Sequence, residues 1–136
     1  MAGYSGTPLA RKLGVTNETT IIAIGAPKNY DALLAPLPAG ARVAVRSGET
    51  PRFVHLFTTA RAELVARLRR LRDTLAADGV IWVSWPKKAS RMETDITEDT
   101  IRSVALPLGF VDVKVCAVDD TWSGLKLVIR KELRAH

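Results

Sequence analysis

The chain has 136 residues, enough for one domain whose core needs no cross-links. Apolar residues make up 47% and charged residues 25%, and no apolar run approaches the ~20 residues of a membrane helix, which excludes a helical membrane span. Lys and Arg outnumber Asp and Glu by 20 to 14, so the net charge of +6 favours anionic partners, while a single cysteine, Cys116, excludes an internal disulfide framework.

Residues 1–19 read as an N-terminal arm, and residues 20–136 as a single α/β domain. Within the arm, Thr7-Pro8-Leu9-Ala10-Arg11-Lys12-Leu13-Gly14 predicts a short helix. Thr7 suits its cap, Pro8 its first turn and Gly14 its end. The opening Met-Ala-Gly-Tyr-Ser-Gly carries no charged-then-apolar leader pattern. With one thiol, the expected location is the cytoplasm.

The unbroken β-branched run Thr20–Ile24 predicts a strand covered on both faces. It stops at Gly25-Ala26-Pro27. Asn29 can cap a short helix through Tyr30, Leu33 and Leu34, which Pro36 and Pro38 terminate. A second strand is expected over Ala41–Arg46, a turn at Ser47–Pro51 and a third strand at Phe53–Phe57.

Helix 60–77 has the clearest periodicity: Leu64, Leu68, Leu71 and Leu75 recur at spacings of four, three and four. Arg67, Arg69 and Arg70 then point to solvent, and Asp78-Gly79 reads as a left-handed helix end. Val80–Trp85 predicts a central strand, followed by the basic loop Lys87–Arg91. Asp95 with Glu98, or Thr97 itself, starts a helix that runs to about Leu108 and stops at Gly109. Two strands close the chain, 110–118 and 125–131. Alternation puts Val111, Val113, Val115 and Ala117 on one face of the first, and Leu125, Leu127 and Ile129 on one face of the second. Their connection is too short for a parallel crossover, so they form an antiparallel hairpin.

The segment Leu75–Val83, the helix after Thr97, Leu108–Val115 and the Trp122 hairpin resemble the C-terminal part of class I S-adenosylmethionine-dependent methyltransferases. The resemblance covers about the last sixty residues. It implies a reduced Rossmann-like, three-layer domain with a mostly parallel sheet of five or six strands. The whole chain is also similar to a bacterial family of short proteins of unknown function, through Tyr4–Leu9, Ser84-Trp85-Pro86-Lys87 and Trp122-Ser123-Gly124-Leu125-Lys126. That similarity implies a self-contained small domain and no particular activity.

The methyltransferase pattern requires several glycines after the first strand and an acid at the end of the second. This chain has Gly25-Ala26-Pro27-Lys28-Asn29 and Arg46 at those places. The span between the first and third strands is also short for two crossover helices. No cofactor is therefore expected.

Ligands of open α/β sheets sit at the carboxyl ends of the strands. That edge should collect Lys28, Asn29, Thr59, Arg61, Ser84, Trp85, Lys87, Lys88, Asp119, Trp122 and Ser123. Lysines supply charge, hydroxyls supply donors and indoles supply stacking surfaces, a mixture suited to an anionic small molecule with an aromatic ring. The competing reading makes Trp82 and Trp85 packing residues, the lysines solvated and Asp119 a turn residue.

His55, inside an apolar strand, reads as a hydrogen-bonded core residue, and Cys116 as a buried inert thiol. Neither His55, His136 nor Cys116 has metal-ligand spacing, so no catalytic or metal residues are assigned. The function expected is a binding or regulatory domain without catalysis. One alternative is an enzyme using Lys87, Lys88 and Asp119 on a phosphorylated or nucleotide-like molecule. Another is nonspecific nucleic-acid binding through the arginine-rich helix, and a homodimer through the C-terminal strand is a further expectation.

Overall fold

The structure is a computed structural model and describes residues 7–46 and 48–134. The landmark Tyr4-Ser5-Gly6 and His136 lie outside these residues. Six strands form one sheet: β1 (Thr20–Ile24), β2 (Arg42–Ala44), β3 (Phe53–Phe57), β4 (Val80–Pro86), β5 (Phe110–Ala117) and β6 (Trp122–Ile129). Their order is β2-β1-β3-β4-β6-β5. The first four run parallel, and β6 is antiparallel to both β4 and β5. The expected mostly parallel α/β sheet with a C-terminal antiparallel hairpin is what forms.

Helices cover both faces. The leucine stripe of α3 (Arg61–Thr74) and Ile101, Val104 and Ala105 of α4 (Glu98–Leu108) pack on Val54, Leu56, Ile81, Val83, Leu125 and Leu127. On the other face, α1 (Leu9–Leu13) and α2 (Tyr30–Leu34) cover Ile21, Phe53, Phe57 and Trp82. Successive residues of a strand point to opposite faces, so Ile81 and Val83 serve one layer and Trp82 the other. Leu9, Ala10, Leu13 and Val15, all within the expected arm, are buried core residues. The indole N–H of Trp82 donates to the Leu13 carbonyl at 2.8 Å and fixes α1 to the sheet.

Several local expectations change. Helix α1 starts after Pro8, whose carbonyl accepts from Arg11 and Lys12, and Thr7 does not cap it. Helix α3 ends at Thr74, because Leu75 is extended and the Ala76 amide turns to the Pro51 carbonyl. Gly79 is not left-handed. It is needed for space, since a Cβ there would lie 2.7 Å from Leu75 Cγ. Thr97 caps α4 in a reciprocal box with Thr100. Asp95 instead accepts the Arg61 amide at 2.7 Å and joins the starts of the two helices.

The valines of β5 do not share a face. The register with β6 shifts between Asp112 and Lys114, so Val113 is an extra residue that reverses the alternation. Val111 then pairs with Val128, while Val115 pairs with Leu125 on the opposite face. Val113 and Val115 are 57% and 48% exposed, as an edge strand permits. Asp112 lies before the shift, on the same face as Phe110, and its carboxylate accepts from Arg102 Nε of α4 at 2.9 Å. The C-terminal strand β6 is bonded on both sides, so it cannot serve as the exposed edge of the expected homodimer.

Candidate functional site

The chain leaves β1 for β2 on one side and then crosses to β3 on the other. The strand order therefore reverses between β1 and β3, where doubly wound folds bind ligands. At that point Gly25 has φ +69°, and a Cβ would sit 2.6 Å from the Phe57 carbonyl oxygen. Glycine is required twice over, by backbone conformation and by contact with β3. Ala26 and Pro27 follow it. Pro27 has no amide hydrogen to offer a ligand, and its carbonyl accepts from Tyr30.

Below this loop, Tyr30 is planted in the sheet. Its hydroxyl lies 2.6 Å from His55 Nδ1, and His55 Nε2 lies 2.7 Å from Ser84 Oγ. All three residues are buried. His55 also stacks on Phe57, with ring centroids 4.2 Å apart. Burial pushes the imidazole pKa down to about 3, so it is neutral at pH 7. Burial and, secondarily, the charge of Asp31 raise the Tyr30 phenol pKa. A neutral imidazole has one donor and one acceptor, so the two hydroxyls play complementary roles. The arrangement is a filled polar core, and Ser84 has no face open to a ligand.

The other expected site residues do share one sheet edge. Lys28 follows β1 and Lys87 follows β4, two interstrand spacings apart, about 10 Å. They do not build one pocket. Trp85 is buried among the residues of the α3/α4 layer. Trp122 is buried in the α1/α2 layer, edge-on to Phe57 at 5.1 Å. The two indoles lie on opposite faces of the sheet and offer no shared stacking surface.

Asp119 Oδ1 accepts the amides of Thr121 and Trp122, both at 2.8 Å, and shapes the hairpin turn. The carbonyl of half-buried Thr59 accepts Thr94 Oγ1 at 2.7 Å. The Lys87 amide donates to Thr121, Lys88 is exposed, and Ser123 pairs with Trp85. Asn29 is exposed at the start of α2, and its side chain makes no capping bond. Arg61 is exposed, its amide held by Asp95.

A groove of about 810 Å³ opens beside this edge, running along β2 and the loop after β1. Lys28, Arg42, Arg46 and Asp31 line it together with Pro27, Val43 and Val45. Of the expected ligand residues only Lys28 lines it. Arg42 belongs to it through its position on β2, which strand register alone reveals. A larger groove of about 930 Å³ lies at the amino ends of the strands. It shares Arg42 and Arg46 but adds Glu18, Glu49 and Arg52, the last paired with Asp78 at 2.7 Å. Its mixed charge and its place at the amino edge make it the weaker ligand site. Among the described residues, no group of three His, Cys, Asp or Glu side chains stands close enough to hold a metal, and no helix is long and apolar enough to cross a membrane.

No family model and no curated protein matches the chain. Solved structures do match. NodS, an N-methyltransferase from Bradyrhizobium japonicum, superposes with a TM-score of 0.58 at 10% identity, over 93% of this chain and 99% of that one. The Methanococcus jannaschii pre-rRNA processing protein fibrillarin gives 0.57 at 9% identity, over 90% and 69%. The fold is methyltransferase-like. The B. subtilis tRNA methyltransferase TrmK gives 0.57 at 13% identity, over 93% and 67%. The chain spans about half, 47%, of LepI, whose complex with S-adenosylmethionine superposes at 0.54 and 12% identity. Identities this low carry the fold alone.

The residues at the mouth of this methyltransferase-like fold do not suit that cofactor. The loop after β1 has one glycine and a proline where a ligand needs close backbone approach. A basic residue, Arg46, follows β2 where an acid would hold a ribose hydroxyl. Among the described residues between β2 and β3, none is helical.

Proposed function

We propose that the chain is a small cytoplasmic binding or regulatory domain, not a methyltransferase, built on a reduced methyltransferase-like scaffold. The observation that carries this reading is the loop after β1, where Gly25 serves the β1–β3 contact and Ala26-Pro27 replaces further glycines. The basic β2 end and the lack of a helix among the described residues between β2 and β3 support it. The second reading, an enzyme using Lys87, Lys88 and Asp119, is disfavoured because the Asp119 carboxylate already holds two turn amides.

The test is equilibrium dialysis against S-adenosylmethionine and a nucleotide panel, with a parallel screen for methyl transfer to small-molecule, protein and RNA acceptors. The expected outcome is no methyl transfer and no retention of S-adenosylmethionine. Catalytic transfer of a methyl group to any acceptor would overturn the reading.

A further inference from the structure

We propose that the groove running along β2 and the loop after β1 binds a small phosphorylated molecule, with Lys28, Arg42 and Arg46 as its cationic wall. The inference rests on the reading that the mouth has been altered for a ligand other than S-adenosylmethionine, and it names the class of that ligand.

Charge is the first argument. Three cations and one carboxylate, Asp31, line the groove. None of the three forms an ion pair among the described residues, whereas Arg52 and Arg102 are engaged by carboxylates elsewhere on the surface. Like charges gathered in a concave space focus a positive potential, and an entering dianion relieves their repulsion. Arginine also offers paired N–H donors that match phosphate oxygens, so Arg42 and Arg46 add geometry to the attraction.

Position is the second. In doubly wound folds an acid at the end of the second strand takes a ribose hydroxyl, and an arginine there accommodates a ribose phosphate. Arg46 lies two residues beyond β2. Size and lining are the third. A volume of about 810 Å³ falls in the usual range for small-molecule sites, roughly 300–1,000 Å³. Val43 and Val45 add an apolar wall, and Val45 is 80% exposed. A molecule with an organic body and a phosphate fits this lining better than a bare anion does.

Isothermal titration of the full chain tests the site, with adenosine 2′,5′-bisphosphate and adenosine as probes. The bisphosphate should bind at least about tenfold more tightly than adenosine, the scale of charge-assisted hydrogen bonds. The double variant Arg42→Ala/Arg46→Ala should weaken the bisphosphate by about tenfold or more. A control that removes the same charge from α3, Arg67→Ala/Arg70→Ala, should change it by less than about twofold, since distant surface charge is screened. Equal losses in the two double variants, equal affinity for the two probes, or no binding of the bisphosphate would overturn the site. Displacement of the bisphosphate by a single-stranded oligonucleotide at equal phosphate concentration would overturn the small-molecule assignment. Methyl transfer by a protein that still shows the predicted bisphosphate pattern would overturn the non-catalytic reading and leave the site standing.

Discussion

His55 shows how one residue ties the fold to pH. Its folded pKa is held near 3 by burial, against an ordinary value of 6.5. The unfolded chain therefore takes up the proton first as pH falls. The stability contributed by the neutral imidazole is complete above about pH 6.5 and is lost progressively down to about pH 3. At pH 5 the loss from this one group is about 2 kcal/mol. Replacing His55 with a side chain that does not titrate removes that slope. In urea unfolding, His55→Gln should be less stable than wild type at pH 7 by about 1–3 kcal/mol, because Tyr30 and Ser84 lose well-placed partners. Between pH 7 and pH 5 it should lose about 2 kcal/mol less than wild type does. Parallel pH profiles for the two proteins would show that His55 takes up its proton equally in the folded and unfolded chain, and that burial does not hold its pKa down. A lone polar residue in an apolar strand was readable as a satisfied core histidine. Its partners were not, because Tyr30 and Ser84 lie 25 and 29 residues away and meet it only across the assembled sheet.

Among the elements, those dictated by local pattern were legible. Strand β3, the leucine stripe of α3 and the Thr97 start of α4 follow from unbroken apolar runs, helical spacing and cap chemistry. Elements decided by a partner were not. Trp122-Ser123-Gly124 reads as a turn by composition, yet β6 begins at Trp122 because those residues pair with Pro86, Trp85 and Ser84. Gly124 earns its place in that strand by proximity, since a Cβ would lie 3.2 Å from Trp82 Cε3. The reversed alternation of β5 was equally hidden, because a register shift leaves no mark in the pattern itself.

Helix α1 is the element that most depends on a distant contact. It has five residues, too few to persist on helix propensity alone. Its attachment includes the Trp82 indole bond to Leu13. Trp82→Phe should cost about 2–4 kcal/mol, from lost volume and a buried carbonyl without a donor. Hydrogen exchange should accelerate more over residues 9–15 than in α3. Uniform acceleration across both segments would show that α1 is not held separately by this bond.

At the scale of the whole molecule, the sheet has two edges and manages each differently. Edge β2 has only three residues, Arg42–Ala44, and offers little backbone to pair with. Edge β5 is longer, and Val113 and Val115 lie exposed on it. Two features oppose pairing of β5 with a second chain. The register shift at Val113 interrupts a regular ladder. Lys114 stands between the two valines, and in an antiparallel pair of copies the lysines would meet near the symmetry axis. Its ammonium also reaches the Lys12 carbonyl at 3.4 Å, so its stem lies back toward α1. Removing the charge while keeping β propensity should expose the edge. Lys114→Val creates a continuous apolar run over 113–115 beside an unpaired backbone. In sedimentation equilibrium across a concentration series, the wild-type mass should stay at that of one chain, while Lys114→Val should rise toward two chains or more. Wild-type dimerisation at micromolar concentration would show that the lysine and the irregular register do not protect the edge. An unchanged mass for the variant would place the protection in the irregular register alone, because the ladder would remain interrupted whatever residue stands at 114.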